Sequence, residues 1–472
     1  MARFIFFQRS VFEQIGLMAL VAALKREGHE SGVLVTVFEK DVVEAALEKK
    51  ADAFCFSITS GDLEWAEGLA RRLKQRMQIP ILVGGPGATY FPEIVEKDAF
   101  DAVCVGEGEE ALLEWAKALG QKTSCHSIRN LWIKEGAVIH RNPVRPLISN
   151  MDDWPAPDRS IYDRYPLIGQ SPLRTFVFGR GCPYSCTYCY NDNYKKLYAG
   201  AGKLVRFPSP GHARMQIEEA VKRYRFQTAV ISDDTFTANK EWLFAFLKDF
   251  RSQAGVPFIC NAHPNTVTKE VCEALSAAGC IRVCMGVESG SARLRREILD
   301  KRTSTEQIME AGRLLHQHGI TFLTYNMVGF PTETVGEAWE TVALNAQMGT
   351  DYPWCSILQA YPRTRIAQIC RDLKLLPENK DSFQNTFFHS SDLLQENIPE
   401  LVRIQKLFWF SVRFPRLNPL WRFLSRQPIT PFLHILFLFS FTWRYMMTNR
   451  LPLGYMARFA WHNLFMYRGS SK

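Results

Sequence analysis

Cys182, Cys186 and Cys189 stand in the run Arg180-Gly-Cys-Pro-Tyr-Ser-Cys-Thr-Tyr-Cys-Tyr190, directly after the strand-like segment Arg174-Thr-Phe-Val-Phe-Gly179. Thiols spaced CxxxCxxC in one loop are metal ligands that stop one short of a closed tetrahedral set. On a four-iron cluster, three protein thiolates leave one iron open to a further ligand. A zinc knuckle is the competing reading, but it wants a fourth Cys or His close by, and the next histidine is His212. Three buried core thiols are the remaining alternative.

Strands must hold such a loop, and the sequence supplies them in two series. From residue 171, strand-length apolar runs at 174–178, 228–232, 257–261, 282–286, 321–328 and 353–359 alternate with helix-length runs, among them 213–224, 240–252, 269–278, 305–317 and 334–348. Six strand-helix units predict a partial (β/α)6 barrel of the TIM type, with chemistry at the carboxyl ends of its strands. Polar segments fall at those ends: Ile231-Ser-Asp-Asp-Thr-Phe236, Gly286-Val-Glu-Ser-Gly-Ser291 and Met327-Val-Gly-Phe-Pro-Thr-Glu333. Taken singly, each also reads as helix capping.

The first series has strands at 3–7, 33–38, 53–58, 80–84 and 101–105, with helices at 12–27, 40–50, 62–78 and 91–97. This alternation predicts a parallel sheet covered on both faces, with ligands beyond the strands' carboxyl ends. Gly84-Gly-Pro-Gly87 and Gly106-Glu-Gly-Glu109 fall there. A hairpin is expected at 131–133 and 138–140. The expected division is an α/β domain over 1–143, an extended Pro- and Asp-rich linker over 144–170, the barrel over 171–385 and a helical, basic-aromatic region over 386–472.

The cysteine triplet, with Tyr188 before its last member, resembles the signature of radical S-adenosylmethionine (SAM) enzymes. Ile15 to His29, Val83-Gly-Gly-Pro-Gly-Ala-Thr89 and Val105-Gly-Glu-Gly-Glu109 resemble the flavodoxin-like (Rossmann-like) cobalamin-binding module that precedes many radical SAM domains. Together the resemblance covers about residues 1–385. It implies a [4Fe-4S] cluster on Cys182, Cys186 and Cys189 whose open iron takes the amino and carboxylate groups of SAM. It implies SAM contacts from Tyr188, Ser232, Asp233, Asp234, Glu288, Val328, Gly329 and Pro331, with Asp233 or Asp234 at the amino group and 328–331 at the adenine. It further implies base-off cobalamin whose nucleotide tail lies against Ser57, Thr59, Gly84, Gly85 and Gly106. Gly87 stands where many relatives carry His. Glu27-Gly-His-Glu-Ser-Gly32 mimics a cobalt-ligating loop, but it follows the first helix instead of the first strand, so His29 reads as a turn residue.

The remaining cysteines, among them Cys55, Cys104, Cys260, Cys272, Cys280 and Cys284, read as small buried hydrophobes. A second cluster on Cys272, Cys280 and Cys284 is the alternative. Only Cys55, Cys104 and Cys125 lie in the N-terminal domain, which weighs against the methylthio-transfer relatives that carry three further cluster cysteines there. The activity that the resemblance implies is methylation of an unactivated carbon, with an electron donor such as flavodoxin or ferredoxin. Its rivals are a non-methylating radical cyclase or oxidoreductase on a tetrapyrrole or lipid, and a cobalamin-responsive binding protein with a vestigial cluster.

The chain has 472 residues, 47% hydrophobic and 22% charged, as a globular protein would. No secretory signal opens it, and scattered cysteines suit a reducing cytoplasm. The net charge of +9 is concentrated at one end: residues 401–472 hold eleven Lys and Arg and no Asp or Glu, interleaved with seventeen aromatics from Phe408 to Tyr467. The uncharged stretch 427–443 is slightly short for a membrane span and contains Pro428 and Pro431. Basic residues beside Phe, Leu and Trp suit a segment lying peripherally on the anionic inner face of a membrane; a helical cap on the barrel is the alternative. Consecutive Leu and Phe argue against a base-stacking nucleic-acid platform. The hydrophobic tail points to a small-molecule substrate of lipid, isoprenoid or tetrapyrrole type.

Overall fold

The computed structural model describes residues 1–377, 386–449 and 451–468, with side chains through His462. The expected barrel-to-tail boundary at 385 lies outside the described residues. The chain forms two compact units. The first comprises Met1–Ser171, Tyr194–Lys203 and the chain from Pro452 on; the second comprises Pro172–Asn193 and Leu204–Leu451.

The first unit is built on a seven-stranded sheet of β1 (Arg3–Gln8), β2 (Glu30–Val35), β3 (Ala53–Ser57), β4 (Ile81–Gly84), β5 (Ala102–Cys104), β6 (Leu131–Glu135) and β7 (Val138–Arg141), in the order 2-1-3-4-5-6-7. The first five strands are parallel, in the flavodoxin-like order, and β6 and β7 add an antiparallel hairpin. Burial on both faces explains why β1 is apolar from Phe4 to Phe7. Phe4 and Phe6 enter one core with Leu17 and Trp115, while Ile5 and Phe7 enter the other with Phe54 and Leu69.

Two expectations about this unit's borders change. The stretch 144–170 is more than a linker, because its apolar residues Ile161, Tyr162, Tyr165 and Ile168 complete the core beside Met18 and Leu24. The Tyr162 hydroxyl accepts from Gln14 N at 3.1 Å, and that of Tyr165 accepts from Val35 N at 3.1 Å. The tail is also not one region. Its last helix, Leu453–Arg468, folds with the first unit, where the Tyr455 hydroxyl donates to Leu167 O at 3.2 Å and Phe459 meets Phe12 edge-on at 5.3 Å.

The second unit is a six-stranded, all-parallel half-barrel of β8 (Leu173–Phe176), β9 (Thr228–Ile231), β10 (Phe258–Ala262), β11 (Cys280–Glu288), β12 (Thr321–Val328) and β13 (Tyr352–Ile357), side by side in chain order. Reciprocal capping boxes, Ser304 with Gln307 and Thr334 with Glu337, fix where two of its helices start. The helix expected over 240–252 breaks into Lys240–Leu247 and Phe250–Ala254, because Asp249 adopts φ +60° between them. The helix Ile398–Arg413 closes over β12 and β13, burying Leu401, Ile404, Leu407 and Phe408 and donating from Gln405 Nε2 to Cys355 O at 2.8 Å. This part of the tail caps the barrel.

Candidate functional site

The cysteine loop leaves β8 and is fastened to several other segments. Arg180 and Arg206 exchange backbone hydrogen bonds at 2.9 and 3.0 Å, and a Cβ at Gly181 (φ +80°) would lie 2.5 Å from Leu204 O. Thr187 N donates to Leu299 O at 3.0 Å, Thr187 Oγ1 to Ile298 O at 2.7 Å, and Ile366 N to Thr187 O at 2.9 Å. The Arg365 guanidinium reaches Ser185 O and pairs with Asp192 and Asp300 at 3.3 and 3.1 Å. Three thiols are thus positioned by neighbours, before any metal arrives.

Cys186 is buried and Cys182 and Cys189 are half-buried. Burial pushes the Cys189 thiol up to about 11 and raises that of Cys186. Coordination to iron would draw off those protons. Thr235 Oγ1 stands 3.7 Å from Cys182 Sγ, while Asn191 donates to Cys189 Sγ from its backbone N at 3.5 Å and its Nδ2 at 3.6 Å. The three sulfurs do not lie mutually within 4.8 Å; among the described residues only His126, Glu135 and His140 bring three such donors that close. A single tetrahedral zinc with 2.3 Å bonds needs sulfurs about 3.8 Å apart. Among the described residues the three thiols therefore do not form the close-set donor group that a single zinc requires.

The expected SAM residues divide by burial. Asp233 turns inward, where its Oδ1 accepts from Phe178 N at 2.6 Å, so it holds the strand that leads into the cysteine loop. Burial pushes this carboxyl up to about 7, and its Oδ2 is buried without a hydrogen-bond partner. Asp234 is exposed and accepts from Asn191 Nδ2 at 2.9 Å. Ser232 is half-buried and joins β8 through its backbone N, 2.8 Å from Phe176 O. Glu288 ends β11 at a bulge with φ +69° and forms a buried ion pair with Lys301 at 3.3 Å. Tyr188 adjoins this pair: burial holds its phenol well above the usual range, and Glu288 and Cys186 add to that.

The Gly329-Phe-Pro331 turn corrects one expectation. Val328 and Pro331 are buried, with Val328 and Phe330 in the core beside Trp339, so their side chains are not free to pack an adenine. The turn offers backbone instead, with Gly329 at φ +86°. Glu333 Oε2 accepts from Gly329 N at 2.5 Å and Phe330 N at 3.0 Å, and Gln395 Nε2 donates to Phe330 O at 3.0 Å. Sequence reasoning missed Lys301, Asn191 and His263. His263 follows the last residue of β10, stacks on Tyr184 of the cysteine loop at 3.7 Å, and is pushed down to about 3 by burial first and Lys301 second. Its place just past a strand's carboxyl end was the available signal. Cys260, Cys272 and Cys280 lie in the apolar core, and burial pushes Cys272 up to about 12 and Cys284 to about 11.

In the first unit, Ser57, Thr59, Gly84, Gly85 and Gly106 gather at the carboxyl ends of β3, β4 and β5, with Ser57 and Gly84 paired in register. A Cβ at Gly85 (φ +88°) would stand 2.7 Å from Ile58 O, and one at Gly87 would stand 2.6 Å from Thr59 O. Glycine there lets two strand ends close on each other. The Thr59 hydroxyl is engaged with Asp62 at 2.7 Å. At Gly106 (φ +84°) the Tyr198 phenol comes so close that a Cβ would lie 2.0 Å from its oxygen, which accepts from Glu107 N at 2.8 Å. Small residues at three neighbouring strand ends fit a corrinoid's nucleotide tail. His29 precedes β2 at the opposite, amino-terminal edge, where its Nδ1 accepts from Ala2 N at 3.3 Å.

Comparison with known proteins yields a family match in each unit. The Radical SAM superfamily model matches residues 176–344, and the B12 binding domain model matches residues 9–116. An uncharacterized methyltransferase of Pyrococcus horikoshii is 27% identical over 363 residues, 74% of this chain and 76% of the relative. The anaerobic magnesium-protoporphyrin IX monomethyl ester cyclase of Rubrivivax gelatinosus is 23% identical over 369 residues, 72% of this chain and 64% of the cyclase, so the match spans less than two thirds of that relative. Among solved structures, the radical SAM methyltransferase TsrM from Kitasatospora setae superposes with a TM-score of 0.67 at 16% identity, over 81% of this chain and 79% of that one. The cobalamin-dependent SAM radical enzyme OxsB gives 0.72 at 14%, over 100% and 80%. At those identities the structures attest the fold. The two family models span more than half of the chain between them, each over the unit that carries the corresponding site, and the protein belongs to the cobalamin-binding radical SAM enzymes, with a [4Fe-4S] cluster, SAM and cobalamin as its cofactors.

Proposed function

We propose that the protein methylates an unactivated carbon of a lipophilic small molecule, and that the basic-aromatic stretch 413–448 of the tail brings it to a membrane surface on the cytoplasmic side. The observation that carries the reaction is the pairing, in one chain, of a three-thiol loop in the Radical SAM match with glycines at strand ends in the B12 binding match. The methyltransferase name of the 27% identical relative supports it. When bound, the cluster with SAM supplies a 5′-deoxyadenosyl radical for hydrogen abstraction, and cobalamin supplies the methyl group. Cys182, Cys186 and Cys189 hold the cluster, and Asn191 and Thr235 donate toward its sulfur ligands. Asp233 or the exposed Asp234 is the acceptor for the SAM ammonium, and the Glu288 carboxylate a further SAM acceptor. The Gly329 backbone borders the adenine. A one-electron donor of flavodoxin or ferredoxin type drives the cycle.

The match to anaerobic cyclases favours a second reading, radical ring closure on a tetrapyrrole without methyl transfer. One experiment separates the two. Holoenzyme is incubated anaerobically with methyl-deuterated SAM, dithionite and, in separate arms, an isoprenoid lipid extract and magnesium-protoporphyrin monomethyl ester. Deuterated methyl in a lipid product supports methylation. An unlabelled, dehydrogenated porphyrin supports cyclisation, and deoxyadenosine with neither product overturns both substrate assignments.

A further inference from the structure

The helix Thr430–Thr448 carries two apolar faces, and the protein covers one of them. Leu433 and Phe437 are buried on the covered side, and Met446 is buried near the helix's end; Phe437 packs on Phe388 at 5.3 Å and lies beneath Lys406 Nζ at 4.9 Å. Phe432, Ile435, Phe439, Trp443 and Met447 are 55 to 73% exposed. Their spacing of three, four, four and four residues places them on one stripe. From Gln427 to Trp443 there is no charged residue to solvate that stripe. Just before it, exposed Arg413, Arg416, Arg422 and Arg426 alternate with exposed Phe414, Leu417, Leu420 and Phe423. Single exposed apolar residues are ordinary, whereas a stripe of five beside four arginines marks an interaction surface.

We propose that the anionic surface of a lipid bilayer covers this face, with the stripe from Phe432 to Met447 at the acyl boundary and the arginines of 413–426 at the phosphates. The inference rests on the proposed membrane contact of the tail and names the face and the lipid charge that make it. Charge decides the occupant. A second copy of the chain would bury the stripe too, but it would set arginines against arginines with no tail carboxylate to pair them. Among the described residues no helix is long and apolar enough to cross a membrane, so the helix lies along the surface.

Flotation of the holoenzyme with vesicles of phosphatidylcholine alone, or of phosphatidylcholine with phosphatidylglycerol, tests this. Binding is expected to the anionic vesicles and to fall as salt is raised. Phe432→Ser/Ile435→Ser/Phe439→Ser is expected to weaken it at least about tenfold, and Arg413→Gln/Arg416→Gln/Arg426→Gln about a hundredfold. Iron and cobalt contents equal to the parent's show that both variants are folded. If the parent does not float, the membrane reading itself falls. If the parent and the serine variant float alike, only this face is wrong. Light scattering that finds a dimeric parent and a monomeric serine variant makes a second copy the occupant. Methyl transfer assayed in detergent keeps failure of the reaction distinct from all three.

Discussion

Glu288 and Lys301 form a buried ion pair, Oε1 to Nζ 3.3 Å with 9% and 4% of their side chains exposed, over a glycine that leaves them just enough room. A Cβ on Gly286 would lie 2.2 Å from that Oε1 and 3.0 Å from the Nζ. Glu288 also holds φ +69°, a conformation that costs a non-glycine residue energy and collects at functional sites. A buried pair is a poor source of stability, since desolvation offsets the attraction. Its value here lies in placing a carboxylate beside Tyr188 and Cys186 at the end of a barrel strand.

Lys301→Met leaves that carboxylate buried and uncompensated. The expected result is a loss of about 3–5 kcal/mol of stability in thermal unfolding, largely recovered in the double variant Glu288→Gln/Lys301→Met. Glu288→Gln alone should weaken SAM binding at least about tenfold and, because it strands the buried Lys301 ammonium, should also lower stability. Equal SAM affinity in parent and Glu288→Gln would confine the pair to a structural role.

Asn191 tunes the cluster through its amide. Removing the Nδ2 donor 3.6 Å from Cys189 Sγ withdraws a hydrogen bond that favours the reduced, more negative cluster. Asn191→Ala should therefore move the midpoint potential to more negative values, on the order of tens of millivolts, at unchanged iron content. An EPR-monitored redox titration reads this directly, and an unmoved midpoint would assign Asn191 to holding Asp234 alone.

Legibility in the sequence followed periodicity. Strand-length apolar runs and helix-length gaps placed both sheets, as in β1, where Phe4 to Phe7 are apolar and buried. The cysteine loop was legible because ligand spacing is local. Which of two adjacent acids turns inward was not, since the turn after β9 decides it and sends Asp233 in and Asp234 out. Lys301 lies thirteen residues from its partner across the π-helical turn Leu294–Ile298, and no spacing rule announces that pairing. Tyr198 comes from a segment that follows the cysteine loop in the chain yet folds with the first unit, a matter of tertiary structure alone.

Glu333 predicts a pH dependence. Burial pushes its carboxyl from an ordinary 4.5 up to about 8, against the pull of Phe330 N and Gly329 N. A raised folded value means that its contribution is fully present below about pH 4.5 and is lost as pH rises through about 8. Glu333→Gln keeps an acceptor for the turn but cannot ionise, so its stability should exceed the parent's increasingly over that window, by on the order of a few kcal/mol at the top. Asp233, pushed up to about 7, contributes in the same direction in both proteins and cancels in the difference. Denaturant midpoints at pH 5 and pH 8 check the sign, and parallel pH profiles would show that Glu333 stays ionised.

Gly106 and His29 make opposite predictions for cobalamin. Gly106→Ala forces a methyl group to within 2.0 Å of the Tyr198 oxygen, expelling the phenol and breaking its hydrogen bond from Glu107 N, so the turn at the carboxyl end of β5 must rearrange. Cobalt content after reconstitution should fall at least about tenfold. Tyr198→Phe keeps the ring and loses only the acceptor, a cost of about 1–2 kcal/mol, so it should reduce occupancy less. His29→Ala should change nothing, because His29 sits before β2 at the sheet's far edge; the absorption spectrum stays base-off and the cob(II)alamin EPR signal is the same as the parent's. Nitrogen superhyperfine structure in the parent that disappears in His29→Ala would make that histidine a cobalt ligand and would require the corrinoid to bind at the amino ends of the strands. The glycines at the carboxyl ends argue for the other edge.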